Sequence, residues 1–267
     1  MALYGVLADI HGNIEALRAV LELLESRGAE RLLCLGDIVG YNADPDECAA
    51  LLRSQPMDAI AGNHDLIGTG RLGFERCSSN AAYALKRTRR RLAPETAAWL
   101  RTLPGSLLVE DRIALIHGGV RDVQQYMTTP RHIEQNAGYL LSEVPQARIC
   151  FFGHSHAQRV YRVGEDGAAA DLSGEKRYAL DRDALHFVNP GSVDAQRKRD
   201  SRLAECALFD SLDWKLEFLS VPYDAASTEA KAAVFGYRIS PLGESLYSLR
   251  RRLSRFSLTR LSTPRLR

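Results

Sequence analysis

Five times along the chain a short apolar run stops at a cluster of glycine, aspartate, asparagine or histidine. Leu3–Ala8 precedes Asp9-Ile10-His11-Gly12-Asn13, and Leu32–Leu35 precedes Gly36-Asp37. Met57–Ala61 precedes Gly62-Asn63-His64-Asp65, Ile113–Ile116 precedes His117-Gly118-Gly119, and Ile149–Phe152 precedes Gly153-His154-Ser155-His156. Apolar runs this short, bounded by turn residues, read as buried strands. The polar clusters then sit at strand C-terminal ends, the edge of an open α/β sheet where ligands bind.

Helices separate the first runs. Asn13 can cap a stripe of Ile14, Leu17, Leu21 and Leu24 that stops at Gly28. Asp44-Pro45-Asp46-Glu47 has the cap, proline and acid of a helix start. A helix over about 79–92 would turn Ala81, Ala84, Leu85, Thr88 and Leu92 inward. Its outer face, Lys86, Arg87, Arg89, Arg90 and Arg91, reads as a solvated surface or as a patch that steers an acidic substrate or partner. Later, Arg159–Val163, Ala184–Val188, Leu203–Phe209 and Lys215–Val221 read as strands without long helices between them. The simplest arrangement is two sheets stacked face to face with helices outside.

With 267 residues, 45% hydrophobic and 25% charged, the chain can bury a large core and is neither disordered nor a disulfide miniprotein. No run approaches a membrane span, and the first residues lack a signal-peptide pattern. Cys34, Cys48, Cys77, Cys150 and Cys206 are odd in number and lack C-x-x-C spacing, which points to reduced thiols in a cytoplasmic protein. Net charge is +2, but residues 250–267 hold seven arginines and no acid, which leaves −5 for residues 1–249. Charge therefore gives no support for a nucleic-acid-binding body.

Five of the seven histidines fall inside the clusters. Asp-x-His and His-x-His would place side chains on one side of an extended backbone. Carboxylate, amide and imidazole donors without thiolate suit Mn, Fe, Zn, Co or Ni. The candidate ligands are Asp9, His11, Asp37, Asn63, His117, His154 and His156. Seven donors exceed what one ion takes and fit two divalent or trivalent ions that share a bridging carboxylate.

At these residues the chain resembles the calcineurin-like metallophosphoesterase superfamily. The order D-x-H, G-D-x-x-G, G-N-H-[DE], H-G and G-H-x-H is complete over residues 9–156, with Gly40 closing Gly36-Asp37-Ile38-Val39-Gly40. Asp-Ile-His-Gly-Asn at 9–13, Val39-Gly40-Tyr41 and Asn189-Pro190-Gly191-Ser192-Val193 are similar to its small bacterial phosphodiesterase branch, to about residue 221. The resemblance implies a four-layer αββα sandwich of two mixed sheets. It assigns Asp9, His11, Asp37 and His156 to one metal, and Asp37, Asn63, His117 and His154 to the other, with Asp37 bridging. It also implies a metal-dependent phosphoric ester hydrolase. Two cations lower the pKa of a shared water, and the resulting bridging hydroxide attacks phosphorus in line.

His64, outside the metal assignment, would protonate the leaving oxygen or stabilise the phosphoryl group. Asp65 either orients His64 or simply forms the turn. Asn13 either approaches the substrate or only caps its helix. Tyr41, with Asn42, is a candidate for the pocket wall, and Asn63 can both ligate and orient phosphate. His132 reads as a helix-surface residue and His186 as a strand residue.

The leading reading is a phosphodiesterase acting on a small phosphorylated substrate, with a phosphomonoesterase as runner-up. The alternatives are a dinucleoside polyphosphate hydrolase, a protein or small-molecule phosphatase, and a non-catalytic scaffold. Residues 1–223 would form this domain and 224–267 an extension. From Ser240-Pro241 onward, Leu242, Leu246, Leu249, Leu253 and Phe256 describe an amphipathic helix with Arg250, Arg251, Arg252 and Arg255 on other faces. That helix would cover the core or join two copies in a homo-oligomer; an anionic membrane surface or nucleic acid is the lesser alternative.

Overall fold

The computed structural model describes residues 2–195, 202–240, 243–245 and 247–249. Most of the 240–261 helix expectation, with its arginines, lies outside the described residues. Among the described residues, twelve strands form two six-stranded sheets. The first has the order β3 (Met57–Ala59), β2 (Arg31–Cys34), β1 (Leu3–Leu7), β11 (Ala204–Asp210), β12 (Lys215–Val221), β9 (Arg177–Ala179). The second has the order β4 (Ser106–Val109), β5 (Ile113–Ile116), β6 (Ile149–Phe151), β10 (Leu185–Pro190), β7 (Gln158–Val163), β8 (Ala169–Asp171).

Each sheet has a parallel trio, β3-β2-β1 in one and β5-β6-β10 in the other. Every other pairing is antiparallel. The alternation of side chains sorts residues into layers. From β1, Tyr4 and Val6 enter the core between the sheets, where Leu33, Phe151, Val188 and Phe209 meet them. Leu7 faces the other way, onto Leu17, Val20 and Leu24 of helix α1 (Ile14–Ser26) and Leu52 of α2 (Pro45–Arg53). On the far side, Phe152, Tyr161 and Phe187 pack under Ile133, Ala137 and Leu140 of α6 (Pro130–Glu143). The layers are helix, sheet, sheet, helix, as the resemblance implied.

The remaining helices are α3 (Asn63–Gly68), α4 (Ser79–Arg91), α5 (Pro94–Thr102) and α7 (Ala225–Val234). None among the described residues is long and apolar enough to cross a membrane. On the basic face of α4, Lys86, Arg89, Arg90 and Arg91 are exposed and Arg87 is half-buried, as on a largely solvated surface. Arg91 lies over the Phe235 ring at 4.5 Å, and Lys86 lies over Tyr247 at 5.2 Å. Phe235 and Tyr247 of the same chain thus lie against part of it.

Helix α7 ties the later segment back to the first turns of α1 and α2. Lys231 bridges Glu15 and Asp44, and the Thr228 hydroxyl donates to Asn13 Oδ1 at 3.0 Å. His132 lies on α6 half-buried, and His186 is a buried strand residue of β10.

Candidate metal centre

Because β1, β2, β3, β5 and β6 run the same way within their trios, the clusters that follow them gather at one edge. Their turns are stitched together: Asp9 N–H donates to Gly36 O at 3.1 Å, and His11 N–H donates to Asp37 O at 2.8 Å. Two turns approach so closely that a Cβ on Gly36 would lie 2.2 Å from Gly62 N. Only glycine permits that contact.

The convergence does not come from an extended backbone. Asp9, His11, Asp37, His154 and His156 all have positive φ, from 53° to 63°. Five of the seven candidates thus occupy the left-handed region, which Asp and His tolerate better than most residues at about 1–3 kcal/mol each. Left-handed turns, not strand alternation, fold the side chains of Asp-x-His and His-x-His inward.

A clamp from β10 holds these turns. Asn189 Nδ2 donates to Gly153 O (2.8 Å) and Ser155 Oγ (2.9 Å). Ser192 Oγ and Asp194 N–H each donate to Asp9 O, both at 3.0 Å.

The side chains form two groups. In the first, His11 Nε2 is 3.2 Å from His156 Nε2, and Asp9 Oδ1 is 3.4 Å from His156 Nε2. In the second, His117 Nε2 is 3.4 Å from Asp37 Oδ2 and 3.0 Å from Asn63 Oδ1, and His154 joins them. Asp37 Oδ2 is also 3.8 Å from His11 Nε2, so it stands between the groups. Donors about 2.1 Å from one ion stand roughly 3.0–3.4 Å apart, and several of these separations match. A third triad, His11, Asp37 and His64, has comparable spacing.

Asp9, His11, Asp37, Asn63, His64, Asp65, His117 and His154 are buried, and His156 is slightly open. His117 Nδ1 donates to Leu35 O at 2.8 Å, which leaves Nε2 aimed at Asp37 and Asn63. Burial opposes charge on His117, but the adjacent Asp37 carboxylate outweighs it and raises the pKa to about 9. Burial and the neighbouring His117 lower His154 to about 4. Its Nε2 is buried without a hydrogen-bond partner, an orphaned lone pair where a cation would sit. Burial works against ionisation of Asp37, yet His117 and His64 hold it well below the ordinary carboxylate range. The residues present fit metal ions.

Two expectations change. Asn13 does not reach the substrate side. It is fully buried, accepts from Ala16 N–H at 3.1 Å as the α1 cap, and donates to Asp194 Oδ1 at 2.9 Å. Asp65 serves the backbone: its oxygens accept from Gly62 N–H (2.9 Å) and Val39 N–H (3.1 Å). It therefore shapes the turns that carry Asp37 and His64. His64 N–H donates to Asp37 Oδ1 at 2.7 Å, and its ring lies 4.6 Å from that of His11 and 4.8 Å from that of Tyr41.

A cavity of about 420 Å³ opens over Asp37, Asn63, His64, His154 and His156. Tyr41 forms one wall. The lining also includes residues that the sequence pattern did not mark. The Tyr126 ring, 54% exposed, lies 4.1 Å from that of His154. Arg76, held by Asp122 at 2.8 Å, also lines the cavity. Cys77 also lines the cavity, while the other four cysteines are buried, and none of the five forms a disulfide.

A calcineurin-like phosphoesterase superfamily domain matches residues 2–213. The chain is 32% identical to the protein MJ0912 of Methanocaldococcus jannaschii over 230 residues, 84% of this chain and 88% of that one. It is 26% identical to the phosphodiesterase YfcE of Escherichia coli K12 over 189 residues, 70% of this chain and 76% of that one. The crystal structure of a metallophosphoesterase from Sphaerobacter thermophilus superposes with a TM-score of 0.73 at 26% identity, covering 92% of this chain and 98% of that one. The chain belongs to the calcineurin-like phosphoesterase superfamily and is a metal-dependent phosphoric ester hydrolase.

Proposed function

We propose that this chain is a dinuclear-metal phosphodiesterase. Asp9, His11, Asp37 and His156 hold one ion; Asp37, Asn63, His117 and His154 hold the other. The observation that carries this reading is the pair of donor triads, Asp9-His11-His156 and Asp37-His117-His154, each with donor atoms within 4.8 Å of one another. Asp37 borders both. The name of the Escherichia coli relative favours a diester over a monoester.

When bound, the cations supply an activated water and offset charge on the phosphoryl oxygens. The chain's own groups do the rest. Asn63 orients a phosphoryl oxygen through its amide N–H. His64 protonates the leaving oxygen or donates to the phosphoryl group, worth about 10²–10⁴ in rate. Asp65 acts on both through the backbone it caps. Tyr41 and Tyr126 both line the cavity over the site and offer ring faces to a substrate. The substrate is a small phosphorylated molecule, and no nucleic-acid or membrane partner is part of this reading. Five cysteines without a disulfide support a cytoplasmic setting. A joint between two copies through the C-terminal helix would be compatible with it.

Protein reconstituted separately with Mn, Fe, Zn, Co or Ni and assayed on methyl p-nitrophenyl phosphate and p-nitrophenyl phosphate tests the proposal. At least one metal should give turnover, with the diester preferred. Equal or greater turnover of the monoester would replace the diester reading, and inertness with every metal would remove the catalytic one.

A further inference from the structure

Tyr126 stands at the metal-site cavity with 54% of its surface exposed. Its ring lies 4.1 Å from that of His154 and is tilted by 35° to it. That contact occupies one ring face and leaves the other open. The hydroxyl makes no hydrogen bond among the described residues.

The loop that presents this ring, 118–129, is held in one shape. Gly119 N–H and Gln125 N–H both donate to Asp122 O, at 2.8 and 2.9 Å. The Asp122 carboxylate accepts from Gln124 N–H at 2.9 Å and from the Arg76 guanidinium at 2.8 Å. Arg76 also donates to Gln124 O at 3.2 Å, so it straps a second loop to this one. Asn136 of α6 donates to Gln125 Oε1 at 3.2 Å. The next residue, Met127, is buried against Ile133 and Ala137. Tyr126 is thus turned out over the site while its neighbour plugs into the core. Asp122 spends the Arg76 charge, so what the loop offers the cavity is a ring face and not a free cation. A ring already fixed in place costs little further ordering when a ligand stacks on it.

The position of Tyr126 says which part of a substrate it meets. His64, which protonates the leaving oxygen, has the rings of His11 and Tyr41 beside it. Tyr126 has the ring of His154. In the reading above, His11 serves one ion and His154 the other. The two side chains therefore border different ends of the donor cluster, and the substituent at Tyr126 is not the one expelled at His64.

Resting on that phosphodiesterase reading, we propose that Tyr126 is a specificity-determining residue, and that the substrate is a diester whose retained ester group is a planar aromatic stacked on the open face of Tyr126.

The test compares metal-loaded wild type, Tyr126→Ala and Tyr126→Phe on two diesters that expel the same p-nitrophenolate. Bis(p-nitrophenyl) phosphate retains an aryl ester, and methyl p-nitrophenyl phosphate retains a methyl ester. The ratio of kcat/KM, aryl-retaining over methyl-retaining, should fall about tenfold in Tyr126→Ala and be kept in Tyr126→Phe. Metal occupancy cancels in that ratio. A role confined to supporting His154 would lower both rates alike, and an unchanged ratio in Tyr126→Ala overturns the inference. So does turnover of the methyl ester with none of the bis-aryl ester. If wild type turns over only the bis-aryl ester, its kcat/KM per bound metal takes the place of the ratio. If wild type turns over neither, the phosphodiesterase reading has failed separately. In that case, or if Tyr126→Ala alone is inert, calorimetry with phenylphosphonate and methylphosphonate, whose P–C bonds do not hydrolyse, decides. A phenyl preference of about tenfold in wild type that Tyr126→Ala abolishes sustains the stack. No preference, or one that Tyr126→Ala keeps, overturns it.

Discussion

Within each sheet the parallel trio and the antiparallel strands do different work. The turns after β1, β2, β3, β5 and β6 carry all seven candidate ligands. The antiparallel strands carry none, yet they supply much of the core between the sheets, including Phe209, Leu216 and Phe218. The reason is geometric. Parallel strands deliver every C-terminal end to one edge, so five turns can surround one space. Antiparallel neighbours send their ends to opposite edges, so they can stabilise the site but not assemble it. Strand β10 lies between the two roles: parallel to β6, it contributes the Asn189–Asp194 clamp rather than a ligand.

The sharpest way to break this division is to remove a catalytic group on one side and a core group on the other. His64→Ala should lower kcat by about 10²–10⁴ with metal content near wild type. If metal is lost as well, the His11-Asp37-His64 triad is a real ligand set and the division of the cluster changes. Phe209→Ala, which removes T-shaped contacts to Phe151 and Trp214, should cost about 3–5 kcal/mol of stability by denaturant titration. Folded Phe209→Ala should still bind metal as wild type does; a selective loss of metal affinity would mean that the antiparallel core shapes the site directly.

Asn189→Ala tests the strand between the two roles. It removes the donor to Gly153 O and Ser155 Oγ and should weaken metal binding about 10–100-fold by competition with a chelator. An unchanged affinity would show that the left-handed turns at His154 and His156 hold themselves.

The smallest effect is a proton count. With its pKa raised to about 9, His117 is protonated at pH 7.5 before metal binds, whereas a ligating imidazole is neutral. Metal loading at that pH should release about one proton from His117, measured by calorimetry in buffers of different ionisation enthalpy. The same shift stabilises the metal-free fold below the unfolded value of about 6.5, and that stabilisation is lost as pH rises through about 9. Calorimetric curves that coincide across buffers would contradict it.

The five clusters were legible in the sequence because each spells its chemistry locally, with a ligand type beside a glycine. The backbone conformation was not: Asp9, His11, His154 and His156 gave no sign that they would adopt positive φ. Helix α6 left a readable trace, with Thr129 as cap, Pro130 at the first position, and Ile133, Ala137 and Leu140 facing the core. Arg76 and Tyr126 left none, because they reach the site from loops whose path depends on distant packing. Asn13 satisfied two patterns at once, and burial decides for the cap.

The central claim is that Asp37 is shared by two metal sites. Elemental analysis of metal-supplemented wild type, Asp9→Asn and Asp37→Asn tests it most directly. Wild type should approach two metals per chain, Asp9→Asn should keep close to one, and Asp37→Asn should fall toward zero. A wild-type value that saturates at one, or an Asp37→Asn protein that keeps a full site, would contradict the account.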